Sequence, residues 1–162
     1  MQLYLMRHGT AVDSSDASVR SDAERALTDE GRARVEKVAR ALADLGMAPG
    51  VILTSPLVRA AQTAQLLAKQ FPKARLKTTA LLSPGADPAA LVDEAAAAKA
   101  QEVVCVGHSP HLELVIARVC AGVEFPLCEL KKAGVACLDL EIQSRRGILR
   151  WLLQPGQIKK LR

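Results

Sequence analysis

Arg7, His8, Arg59 and His108 are the residues of this chain best suited to chemistry, and each follows a short apolar run. Gln2-Leu3-Tyr4-Leu5-Met6 stops at Arg7-His8-Gly9-Thr10. Val51-Ile52-Leu53-Thr54 leads into Ser55-Pro56-Leu57-Val58-Arg59, and Val103-Val104-Cys105-Val106 into Gly107-His108-Ser109-Pro110. Apolar runs of this length bounded by turn residues read as buried strands. In open α/β sheets, chemistry collects just beyond the carboxyl ends of such strands. Two guanidiniums, two imidazoles and the amides of helices opening after Pro56 and Pro110 describe a site for a phosphoryl group, provided the strands are neighbours. Parallel pairing would then bring their ends to one rim, about 5–10 Å apart.

The elements that position these residues alternate. After Thr10, the stretch Asp13 to Arg25 is rich in Ser and Asp and shows no period, so a surface loop is expected against the first strand's end. Thr28 caps a helix with acids in its first turn, whose Val35, Val38, Ala39, Leu42 and Leu45 share one side. Gly46 ends it and Pro49-Gly50 turn the chain into the second strand. Pro56 is placed as the first residue of a helix running to about Gln70. A basic residue in that first turn opposes the helix dipole unless an anion binds there, which singles out Arg59. Arg75 to Thr79 is a weak strand, and Asp87-Pro88 opens a helix over Ala89 to Lys99. Leu112, Val115, Ile116 and Val119 mark another helix, and His111 at its start is expected at the surface or in a capping role, facing away from His108. Gly134 to Leu140 and Ile148 to Leu153 form a hairpin. Alternating strands and helices imply a three-layer α/β/α domain with a mostly parallel central sheet, spanning residues 1–162.

Composition narrows the functions. The 162 residues are 49% hydrophobic and 24% charged, with a formal net charge of +5. Aromatics make up 2%, too few for the stacking surfaces of single-stranded nucleic-acid binders, so no nucleic-acid partner is expected. Arg7 interrupts the first apolar run before it could serve as a secretory signal, and no stretch approaches a membrane span. Cys105, Cys120, Cys128 and Cys137 lack paired spacing and read as small hydrophobes in a reducing compartment, placing the chain in the cytoplasm. No metal ligand set or other cofactor motif is visible.

Met6-Arg7-His8-Gly9-Thr10, Ser55 to Ala64 and Val106-Gly107-His108-Ser109 together resemble three segments of the histidine phosphatase superfamily, which has the phosphoglycerate mutase-like fold. The order and approximate spacing agree over essentially the whole chain. Within that superfamily the chain is similar to the small SixA-type phosphohistidine phosphatases, whose segment before the first helix Asp22-Ala23-Glu24-Arg25-Ala26-Leu27-Thr28 resembles. The resemblance implies a metal-independent phosphatase in which His8 is the nucleophile and forms a phosphohistidine intermediate. Arg7 and Arg59 would clamp the non-bridging oxygens, and His108 would donate a further bond. Gly9, Thr10, Arg25 and Ser109 would contribute to substrate binding.

Two features depart from the wider family. The loop Leu82-Ser83-Pro84-Gly85 lacks the glutamate that protonates the leaving group in many relatives, and Phe71 to Val103 has no room for the insertion that roofs the substrate in the mutases. An open site without a cap suits phosphohistidine on the surface of a protein partner. Asp22, or failing that Asp13 or Asp16, is the candidate proton donor. A small-molecule phosphomonoesterase remains a second reading, if the Asp13–Arg25 loop covers the site. A phospholigand-binding module, or a nucleic-acid binder using Lys159-Lys160, is a third.

Overall fold

A computed structural model describes residues 1–158; the basic tail that starts at Lys159 lies outside the described residues. The order of elements is β1 (Gln2–Arg7), α1 (Asp29–Asp44), β2 (Val51–Thr54), α2 (Val58–Gln70), β3 (Arg75–Thr78), α3 (Pro88–Ala97), β4 (Glu102–Gly107), α4 (His111–Ala121), β5 (Val135–Leu140), β6 (Gly147–Leu153) and the single turn α5 (Pro155–Ile158). The expected hairpin is β5–β6, and the weak third strand is an exposed edge.

The six strands lie in the order β3-β2-β4-β1-β5-β6. The first four are parallel to one another, β5 runs antiparallel to β1, and β6 runs antiparallel to β5. This is the phosphoglycerate mutase-like α/β/α arrangement. Side chains alternate across each strand, so the two faces carry separate cores. Tyr4, Met6, Ile52, Val104 and Val106 face α1 and α2. Leu3, Leu5, Leu53, Val103 and Cys105 face α3 and α4. Burial on both faces is why β1, β2 and β4 read as unbroken apolar runs rather than alternating ones.

Register decides what the sheet displays. Leu5 is level with Cys105, and Cys105 with Leu53, so β1, β4 and β2 end at the same height on adjacent tracks. The helix starts differ slightly from the sequence reading. α2 begins at Val58 rather than Pro56, with Leu57 extended as its cap and the Leu57 amide donating to Ser55 Oγ at 3.3 Å. α4 begins at His111 after Pro110. At α1, Thr28 Oγ1 accepts from the Gly31 amide at 2.9 Å as the sequence implies, and the Thr28 amide donates to the Thr10 carbonyl at 3.0 Å.

That last bond holds the start of α1 against the chain just past His8. Gly31 makes the approach possible, because a Cβ there would collide with the Thr10 carbonyl oxygen. Gly31→Ala should therefore destabilise the fold by about 1–3 kcal/mol, as overpacking a tight contact does, in spite of alanine's better helix propensity. Urea unfolding of the two proteins measures the difference; equal stabilities would mean that α1 does not clamp this segment.

Candidate active site

Parallel register brings His8, Arg59 and His108 to one rim of the sheet. The His8 and His108 ring centroids are 5.1 Å apart. Arg59 Nε lies 3.2 Å from His8 Nε2. All three residues are buried, His8 being only 7% exposed. The site is thus recessed, not the open strand end the sequence suggested, because the segment around Asp22 folds over Arg59.

His8 is held in one tautomer. Its Nδ1 lies 2.7 Å from the Gly9 carbonyl oxygen, an acceptor only, so Nδ1 carries the proton and Nε2 keeps its lone pair. That lone pair accepts from Arg59 Nε–H. Burial, with the charges of Arg59 and Arg7 adding to it, pushes the His8 pKa down to about 4; the Gly9 carbonyl opposes them and ranks second to burial. The turn itself is fixed by the Gly9 amide, which donates to Thr63 Oγ1 at 3.0 Å. Gly9 also serves packing: a Cβ would press on Val35 Cγ2 of α1 at 2.7 Å.

His108 Nε2 lies 2.8 Å from Ser55 Oγ. The Ser55 hydroxyl, which accepts from the Leu57 amide, has both a proton and a second lone pair for His108 Nε2, so the pair can be bonded in either direction. His108 Nδ1 is buried and has no partner among the described residues. Burial, then His8 and Arg59, pushes His108 down to about 3. Ser55 and Thr63 were not singled out by the sequence reading, although both lie within the Ser55–Ala64 segment.

Arg59 Nη1 donates to the Asp22 carbonyl at 2.7 Å, and Nη2 to Asp22 Oδ2 at 2.9 Å. The other oxygen, Asp22 Oδ1, accepts from Arg25 Nη1 at 3.0 Å. Arg25, then Arg59, hold the Asp22 carboxyl below the usual carboxylate range. This is the reverse of what a proton donor near neutral pH needs. Arg25 also donates from Nε to the Val12 carbonyl at 2.8 Å, so its guanidinium organises the loop. Arg7 donates from Nη1 to the Leu130 carbonyl at 2.8 Å, while its Nε is buried with no partner among the described residues.

Three other expectations meet different surroundings. Ser109 gives its hydroxyl proton to Glu113 Oε1 at 2.6 Å. Thr10 enters through its carbonyl, which holds α1. His111, expected at the surface, is 2% exposed, because the first turn of α4 packs inward; burial lowers its pKa and neither ring nitrogen finds a partner among the described residues. The four cysteines are free thiols.

Recessed imidazoles beside two guanidiniums form a site that can take a phosphoryl group. The comparisons agree. The profile of the histidine phosphatase superfamily (branch 1) matches residues 3–83. An uncharacterised protein from Picosynechococcus sp. is 36% identical over 83% of this chain and 82% of its own. The structure of the protein histidine phosphatase SixA complexed with tungstate superposes with a TM-score of 0.87 at 25% identity, over 98% of this chain and 99% of that one. A protein from Agrobacterium tumefaciens assigned as phosphohistidine phosphatase SixA gives 0.79 at 27% identity, over 95% and 97%. The chain belongs to the histidine phosphatase superfamily, and its SixA-like fold supports phosphatase activity.

The depressed pKa values set a pH signature. Both imidazoles stay neutral in the folded protein well below the ordinary value of 6.5. The unfolded chain binds protons there that the folded one refuses, so stability is complete above about pH 6.5 and falls as pH drops toward 4. Imidazole ¹⁵N resonances of the free protein should titrate with midpoints near 4 for His8 and near 3 for His108. Midpoints near 6.5 would show that neither ring is buried as described.

Proposed function

We propose that the protein is a phosphatase whose His8 Nε2 takes the phosphoryl group as a phosphohistidine intermediate, and that its substrate is phosphohistidine on a partner protein. The observation that carries this reading is the His8 ring itself: Nδ1–H is tied to the Gly9 carbonyl and the Nε2 lone pair is directed at Arg59. A neutral imidazole with one assigned lone pair is a nucleophile ready for in-line attack.

The steps balance as follows. A phosphoryl group entering the site draws the Arg59 guanidinium to its oxygens, which frees His8 Nε2. Nε2 bonds to phosphorus as the bond to the leaving group breaks, and the leaving group takes a proton from solvent water. Arg7, Arg59 and a ring N–H of His108 stabilise the charge on the equatorial oxygens. Water then attacks phosphorus, the P–N bond to His8 breaks, and phosphate leaves with His8 restored. No metal is required in this account, because guanidiniums supply the positive charge.

The choice of substrate class rests on the leaving group. Asp22 is held ionised between Arg25 and Arg59, and the Leu82–Gly85 loop offers no carboxylate, so acid assistance is weak. A phosphoramidate suits such a site, because imidazole departs more readily than an alkoxide. One observation favours the small-molecule reading: the segment bearing Asp22 does reach over Arg59, as a covered site would need. Alkyl phosphates would then be turned over as well as phosphohistidine.

Rapid-quench labelling with a ³²P-phosphohistidine protein should put acid-labile, base-stable phosphate on His8, and His8→Ala should abolish both label and turnover. Label on Ser, Asp or Cys would overturn the nucleophile. Arg59→Ala should lower kcat/KM by about 10²-fold or more, as loss of a positioned charge-assisted donor does, with Lys rescuing only in part. Comparable rates on phosphohistidine and alkyl phosphates would overturn the substrate assignment while leaving the nucleophile in place.

A further inference from the structure

Glu113 is a buried carboxylate on α4 that the mechanism above does not use. It is 3% exposed. Its Oε1 accepts from Ser109 Oγ at 2.6 Å and from the Leu130 amide at 3.0 Å. Its Oε2 is buried with no partner among the described residues. Burying a carboxylate with half its acceptors unmatched is costly, so a compensating purpose is expected of it. Leu130 supplies one, because its carbonyl receives Arg7 Nη1 at 2.8 Å.

The two peptide groups that flank Leu130 are each held on both edges. In the peptide before it, the Glu129 carbonyl accepts from Gln154 Nε2 at 2.7 Å while the Leu130 amide donates to Glu113. In the peptide after it, the Lys131 amide donates to Gln154 Oε1 at 3.0 Å while the Leu130 carbonyl faces Arg7. The primary amide of Gln154 thus imitates a neighbouring strand along one edge, and Glu113 and Arg7 complete the other. A carbonyl whose two adjoining peptides cannot rotate is a rigid acceptor. Among the described residues the guanidinium it receives has no partner for its Nε.

We propose that Glu113, with Gln154 opposite, is a positioning residue for Arg7: it fixes the Leu130 carbonyl that seats the guanidinium in the phosphoryl site. This rests on the reading of Arg7 as a phosphate clamp. Glu113 touches no substrate. Its effect passes through the Leu130 backbone, and Oε1 acts as an acceptor rather than through net charge.

A double-mutant cycle tests the route, because residues that act through one another are not additive. Kd for tungstate, a tetrahedral oxyanion, is measured for wild type, Glu113→Ala, Arg7→Ala and the double variant, with folding checked by circular dichroism. Glu113→Ala should weaken binding by ~10-fold in the wild-type background and by less than ~2-fold once Arg7 is gone, within the usual range of coupling between contacting residues. Glu113→Gln keeps an acceptor oxygen and should restore binding to near wild type. An equal loss from Glu113→Ala in both backgrounds would overturn the proposal, as would a Gln variant as weak as Ala. If Arg7→Ala alone binds tungstate as tightly as wild type, the clamp reading itself fails, an outcome distinct from additivity. A Glu113→Ala chain that does not fold leaves the Gln variant and Gln154→Ala, which removes the facing support, to be read in the same cycle against Arg7→Ala. Coupling to Arg7 sustains the proposal and additivity ends it.

Discussion

Parallel pairing of β1 and β2 on either side of β4 is the constraint on which everything else in this molecule rests. It places three chain segments, more than forty residues apart in sequence, at one level of one rim. A slip of one residue in any of the three would exchange the two faces of the sheet and turn the terminal side chains the wrong way. The separate cores of the two faces prevent this: Met6, Val104 and Ile52 belong under α1 and α2, while Leu5, Cys105 and Leu53 belong under α3 and α4. The site is therefore held in place by hydrophobic burial well away from it.

On that frame the site is assembled mainly from backbone groups. The carbonyl of Gly9 sets the His8 tautomer, that of Leu130 receives Arg7, and that of Asp22 receives Arg59. Each carbonyl lies in a turn or loop whose path is fixed by some other contact, such as Thr63 on the Gly9 amide. Burial then supplies the electrostatics. With guanidiniums close by and water excluded, both imidazoles are most stable uncharged, the state in which one can attack and the other can donate.

Much of this could be read in the sequence, for a definite reason. Strands buried on both faces have no polar positions, so their ends show wherever an Arg or His follows the run, and Arg7, His8 and His108 announce themselves that way, whereas Arg59 shows as a base in the first turn of a helix. Strand order could not be read, because parallel crossovers leave no trace in a single chain of which strands become neighbours. Backbone acceptors are equally silent, which is why Leu130, Gly9 and the support from Glu113 and Gln154 appear only in three dimensions. Periodicity misplaced His111: the helix it opens is buried around most of its girth, and a sequence-based rule that assigns one face to solvent fails there. Asp22 was noticed for its acidity, yet its two basic neighbours make it a poor acid.

The bond from Arg59 Nε–H to the His8 lone pair also governs chemoselectivity. A nitrogen whose lone pair is engaged by a cationic donor offers little to an uncharged electrophile, so aldehydes, activated esters and alkylating agents that lack a negative charge meet a masked ring. Unmasking requires a ligand able to compete for the guanidinium, which in practice means a multiply charged oxyanion. On the proposed role of His8, the reactive atom is thus exposed by the same class of group it is built to attack, and the ring can stand at the rim without scavenging whatever neutral reagent reaches it.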